Sequence, residues 1–281
     1  MSVGPRWGRG AGCLRRQVTS KLGQNGALII TALAIVVALA WVYLLLGAQM
    51  GVQMMEGDGQ TMAMPSPWSL GHAAIVFIMW AVMMVAMMLP SAAKTILLTT
   101  KLNDPQRSLI TSRRTGEFVA GYLAVWLAFS LLATGTQWAL EEAGMLSATM
   151  LPTDSVLAGS LLVYAGAYQW SPLKQACLTH CITPQDFLDR HWRRDGPLLT
   201  GLRHGLFCLG CCWMLMALLF VGGLVNLVCI AVIAVTILVE KTLPRSIGTS
   251  SLIGTALIAG GGAELASLDF WRFCSDIAQL I

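Results

Sequence analysis

Charge is what this sequence has least of. Only 11% of its 281 residues are Asp, Glu, Lys or Arg, against 56% hydrophobic, and the mean hydropathy is +0.68. A water-facing globule is normally about a quarter charged, so a soluble domain is excluded, and disorder and a coiled coil with it. A nucleic-acid module is excluded too, because the net charge is only +4. No internal repeat is visible, which weakens an inverted-repeat transporter. The chain also lacks a Ser/His/Asp triad, a phosphate-binding loop and a paired-carboxylate motif, which disfavours hydrolytic enzymes. Its four His include no pair placed to hold a haem.

Long apolar runs are what the sequence has in abundance. A helix crosses a bilayer core in about 20 apolar residues, and candidate spans run over 27–47, 68–89, 118–140, 155–170, 202–221, 224–239 and 247–267. The fifth and sixth are separated only by Gly222 and Gly223, which implies a tight hairpin. The expected fold is therefore all-α, a polytopic transmembrane bundle of about seven spans. The first span reads as an uncleaved signal-anchor, because its apolar run is too long for an h-region.

Threading seven crossings from a cytoplasmic N-terminus sorts the charges. Arg6, Arg9, Arg15, Arg16 and Lys21 fall inside, as do Lys94, Lys101, Arg107, Arg113 and Arg114. Lys174, Arg190, Arg193, Arg194, Arg203, Lys241 and Arg245 follow, leaving Arg272 alone outside. Basic segments resist translocation, so the threading predicts a multi-pass protein of the inner (cytoplasmic) membrane, N-terminus cytoplasmic and C-terminus extracytoplasmic. It divides the chain into a basic tail (1–26), a bundle (27–268) with a Met-rich outer loop (48–67) and a Cys/His inner loop (171–201), and an outer tail (269–281). Six of the eight cysteines, Cys13, Cys177, Cys181, Cys208, Cys211 and Cys212, then lie toward the reducing side, where metal binding or thiol redox chemistry is a more natural use than structural disulfides.

Sulfur recurs in three places. On the second span Met79, Met83 and Met87 form one helical stripe and Met84 and Met88 its neighbour. Methionine is a soft packing filler, yet thioethers also select Cu(I), and both uses stay open. On the fifth span His204, Cys208, Cys211 and Cys212 share about 100° of arc, and Gly205 and Gly210 beside them allow a neighbouring helix to approach closely. After the fourth span, Ser171 and Pro172 form a helix start with an N-cap and Pro at N1. The helix that follows carries Cys177, His180 and Cys181 on one face, either a soft-metal clamp or an inert interfacial helix. All three clusters fall at the inner half of the bilayer, which is the argument for one shared site. Outside, a run from Met50 to Met64 offers five further Met side chains, with His72 as a next contact. Asn226 and Glu240 are polar groups on the sixth span; Glu240 reads first as a snorkelling anchor beside Lys241, with a buried, costly and therefore functional carboxylate as the alternative.

At these residues the chain resembles a bacterial family of predicted metal-binding integral membrane proteins, some of them called copper chaperones. The resemblance covers roughly 68–245 and rests on the Met-rich stretch from Trp80 to Pro90, on Pro172-Leu173-Lys174 with Cys177-Leu178 and Cys181, on Cys208-Leu209-Gly210-Cys211-Cys212-Trp213 with Leu215-Met216, and on Asn226-Leu227 leading to Glu240-Lys241. The sixth span departs from the pattern, with Val225 and Cys229 in place of a Met and an aromatic residue. The resemblance implies metal binding. Together with the sulfur pattern it leads to the expectation of a protein that handles Cu(I) through Met and Cys/His ligands, by uptake across the membrane or delivery at it. Its partners would be the lipid bilayer and a copper donor or cuproenzyme. The alternatives are a membrane thiol–disulfide oxidoreductase using Cys208 and Cys211, and a metal-free structural or assembly subunit.

Overall fold

Helix is the conformation that satisfies every backbone group within a single apolar segment, and the described residues contain helices and no strand. A computed structural model describes residues 26–47, 68–102, 108–145, 155–222, 226–243 and 248–266. The helices are α1 (Gly26–Gly47), α2 (Leu70–Leu102), α3 (Ser108–Glu142), α4 (Ser155–Tyr168), α5 (Pro172–Ile182), α6 (Pro184–His191), α7 (Gly196–Ala217), α8 (Leu219–Gly222), α9 (Leu227–Thr242) and α10 (Thr249–Leu265). The N-terminal tail, the Met-rich loop with Met50 to Met64, and the C-terminal tail lie outside the described residues, and so do Cys13, Arg245 and Cys274.

Four helical stretches are long and apolar enough to cross a membrane: Gly26–Gly47, Leu70–Thr100, Arg113–Glu142 and Gly196–Gly222. Helices α4, α9 and α10 are apolar but shorter, with 14, 16 and 17 residues. Large side chains such as Leu131, Leu132, Leu206, Val232 and Leu252 are exposed on the outer faces of α3, α7, α9 and α10. An apolar exterior of this kind is suited to lipid rather than water.

Several helices outrun the apolar segments that announce them. Helix α2 does not stop at Pro90 but continues through it to Leu102, and α3 begins ten residues before its apolar run. Hydropathy reports what can sit in hydrocarbon, while the backbone ladder continues until a cap or a breaker ends it. Ser69 opens α2, accepting from the His72 N–H at its Oγ and from the Ala73 N–H at its carbonyl. Between the fifth and sixth apolar runs, α7 is followed by the single turn α8, which contains Gly222. Residues 223–225 lie outside the described residues.

Glycines set two close helix pairs. Helices α3 and α7 run parallel: a Cβ at Gly201 would collide with the Phe118 backbone, and one at Gly205 with Val125. Helices α4 and α10 run antiparallel, with Gly159 against Gly261 and Leu265, and Gly166 against Gly254 and Ile258. Helix α2 also packs on α3, where Trp80 Nε1 donates to Gln137 Oε1 at 3.0 Å. At one end of the bundle Trp68 Nε1 meets Glu141. At the opposite end Lys94 reaches the Ile182 carbonyl, and Arg114 lies over the Trp192 ring.

Candidate metal centre

Helix α5 starts as its sequence requires. Ser171 Oγ accepts from the Lys174 N–H at 3.1 Å, and Pro172 occupies the first turn. This start fixes the rotation of the helix so that Cys177 and Cys181 are buried against α7. Gly210 makes the contact possible, since a Cβ there would stand 2.8 Å from Cys177 Sγ. Burial pushes the Cys177 thiol above its usual pKa, with Cys211 adding to the effect.

Helix α7 presents His204, Cys208, Cys211 and Cys212 to the interior, and all four are buried. Cys211 and Cys212 both donate their S–H to the Cys208 carbonyl, at 3.0 and 2.9 Å. Cys211 Sγ faces Cys181 Sγ at 4.0 Å across the α5–α7 contact. Cys208 Sγ receives the Lys241 ammonium at 2.8 Å and lies 3.1 Å from the Tyr122 hydroxyl. That hydroxyl also lies 3.0 Å from the Met88 carbonyl, so Tyr122 ties the methionine stretch of α2 to the thiols of α7. The side chains of Met83, Met84, Met87 and Met88 are all buried in the same core, with Met79 packed against it.

The two imidazoles are placed differently. His204 sits among Phe118, Tyr122 and Phe187, and its buried Nδ1 has no hydrogen-bond partner among the described residues. His180 turns onto Phe207, ring centroids 4.2 Å apart and nearly parallel, with Nδ1 at 3.0 Å from the Ala176 carbonyl. Cys229 is half-buried on α9, and Asn226 caps that helix, accepting from the N–H groups of Val228 and Cys229.

Three buried charges depart from the sequence expectation. Glu240 is not a snorkelling anchor: it is 3% exposed, and the fully buried Lys174 ammonium reaches its two oxygens at 2.9 and 2.8 Å. Lys174 also donates to Gln169 Oε1. Lys174 and Lys241 are therefore not loop charges flanking the membrane but interior groups. A lysine near the end of an apolar run reads as a flank whenever its stem can reach water, and helix packing here closes that route. Tyr122 gave no sequence signal beyond a polar tip on an apolar helix. The Glu240-Lys241 dipeptide was the visible trace of the others.

The donor set suits a soft cation. Thiols select Cu(I), Zn(II) or iron–sulfur clusters over hard ions, and His204 Nδ1 is a buried nitrogen awaiting a partner. Among the described residues no three His, Cys, Asp or Glu side chains converge tightly enough to cage one ion. A closed tetrahedral zinc site needs four. The pair Cys181 and Cys211 at 4.0 Å is instead close to the span of two sulfurs on opposite sides of one ion, about 4.6 Å with bonds of about 2.3 Å.

No curated protein and no solved structure matches the chain. A family model described as PpoB2, copper chaperone, matches residues 77–263, from the methionine stretch of α2 to the last turn of α10. With the thiols, the methionines and Lys241 all inside that match, the chain belongs to the PpoB2 copper chaperone family.

Proposed function

We propose that this protein binds Cu(I) inside the membrane through thiols shared by α5 and α7, and carries it across or hands it to a partner protein. The observation that carries this reading is the facing of Cys181 and Cys211 in the bundle core, with Cys208 and Cys212 one turn or less away. Thiolates satisfy Cu(I) at low coordination number, and their deprotonation on binding neutralises the cation where the dielectric is low. Met83, Met84, Met87 and Met88 line the approach from α2 as weaker thioether donors, and His204 offers a nitrogen on the same face of α7. Cys177 and His180 complete the set from α5, in a secondary role. An ion would pass from weak thioethers to tighter thiolates by ligand exchange.

The membrane arrangement belongs to the same proposal. Seven crossings with the N-terminus in the cytoplasm place residues 1–26 inside and 269–281 outside, with the bundle spanning 27–268. The clustering of Lys94, Arg114 and the α6 region at one end and Trp68 with Glu141 at the other supports that sidedness. The Met-rich segment 48–67 would then collect Cu(I) at the outer surface, and the copper donor or recipient is a protein of the inner membrane or its surroundings.

A second reading draws on the same 4.0 Å separation. Two thiols that close can form a disulfide after a modest side-chain rotation, since the bond itself is about 2.05 Å, and a thiol–disulfide oxidoreductase would use it. Cu(I) titration of the detergent-purified protein under reducing conditions, against a competing chelator, separates the two. The copper reading expects tight binding that is lost when Cys208, Cys211 and Cys212 are replaced by Ser. Unchanged affinity in that variant overturns it, and a reversible disulfide in a protein that binds no metal establishes the alternative.

A further inference from the structure

We propose that Lys241 selects the valence of the cargo: its ammonium, held among the thiols inside the bundle, matches the centre to a monovalent soft cation and disfavours divalent ones. The inference rests on the copper reading and adds the residue that sets ion charge. Lys241 is 5% exposed near the C-terminal end of α9, with Nζ 2.8 Å from Cys208 Sγ and 3.3 Å from Ser91 Oγ. The adjacent carboxylate is already engaged, because Glu240 turns to Lys174.

A buried ammonium is costly unless something compensates it, and the groups beside Lys241 that can acquire a compensating negative charge, by losing a proton when a metal binds, are the thiols. Two thiols that bind one Cu(I) release their protons to solvent and form a complex with one net negative charge, which Lys241 neutralises. The same two thiolates around Zn(II) or Cd(II) are already neutral and leave the ammonium uncompensated. A third thiolate would restore the balance for a divalent ion, but no three such groups converge among the described residues. Charge and geometry therefore favour the same ion. Lys241 hydrogen-bonds Cys208 Sγ, while the facing pair is Cys181 and Cys211.

The test uses the full-length protein in detergent, with Ag(I) as a redox-inert monovalent probe and Cd(II) as a divalent thiophilic one, each in competition with a chelator. Lys241→Met should lower the ratio of Ag(I) to Cd(II) affinity by about tenfold or more, while Lys241→Arg retains the wild-type ratio. An unchanged ratio in Lys241→Met overturns the proposal, as does an equal fall for both ions, which is what a purely structural role produces. A rise in Ag(I) affinity also overturns it, because an ammonium that competes with the ion would behave that way. Lys241→Gln replaces the Met variant if that does not elute as a single species. The wild type supplies a check independent of any variant: Cd(II) binding as tight as Ag(I) overturns the proposal. A wild-type protein that binds neither Ag(I) nor Cu(I) defeats the copper reading itself, and the proposal with it.

Discussion

Helices α3 and α7 approach through Gly121, Gly201 and Gly205, and α4 and α10 approach through Gly159, Gly166, Gly254 and Gly261. Glycine brings backbone against backbone in both pairs, yet their surroundings differ. Around α3 and α7 the core holds Tyr122, His204, three cysteines and Lys241, and the Lys174–Glu240 pair lies nearby on α5 and α9. Between α4 and α10 the packing partners are apolar side chains such as Leu162, Val163, Ile258 and Leu265, with the aliphatic part of Gln169 at one end. Small residues alone therefore suffice to dock two helices in this bundle. Burying three charges and a set of thiols is a cost that packing did not require, and its concentration in one half marks that half as the working part.

The comparison breaks most severely at Lys174. Replacing it by Met leaves Glu240 buried without a counter-charge, and the expected loss of stability is about 3–5 kcal/mol, measured as a lower unfolding temperature in detergent. Lys174→Met combined with Glu240→Gln should recover most of that loss. Equal melting of the single and double variants would show that the two charges do not compensate each other.

A smaller effect distinguishes the two glycine seams. Gly261→Val forces a side chain toward the Gly159 carbonyl, 2.7 Å from where its Cβ must sit, and overpacking of this kind costs about 1–3 kcal/mol. Metal stoichiometry should be unchanged. Gly201→Val meets the Phe118 backbone in the same way but displaces α7, so it should lower both stability and metal binding. Loss of metal in Gly261→Val would mean the halves are not separable.

Much of the working half was legible in the sequence because helical periodicity is a local property. The arc shared by His204, Cys208, Cys211 and Cys212 follows from 100° per residue, and all four are buried on one side of α7. The cap at Ser171 with Pro172 was equally local, and it is present. What escaped the sequence is tertiary. Whether Lys174 and Lys241 reach water depends on which helices close over them, and the same holds for Glu240. His180 shares a face with Cys177 and Cys181 in projection, yet a neighbouring Phe207 offers its ring a better surface. The continuation of α2 past Pro90 was hidden for another reason: proline within a helix removes one hydrogen bond, and tertiary packing on α3 holds the helix together across it.

X-ray absorption at the copper edge of the Cu(I)-loaded, full-length protein tests the central claim most directly. The account predicts a shell made of two sulfurs at about 2.3 Å, with Cys181→Ser or Cys211→Ser removing one of them or abolishing loading. A shell dominated by nitrogen or oxygen, or a sulfur shell indifferent to both substitutions, would contradict it.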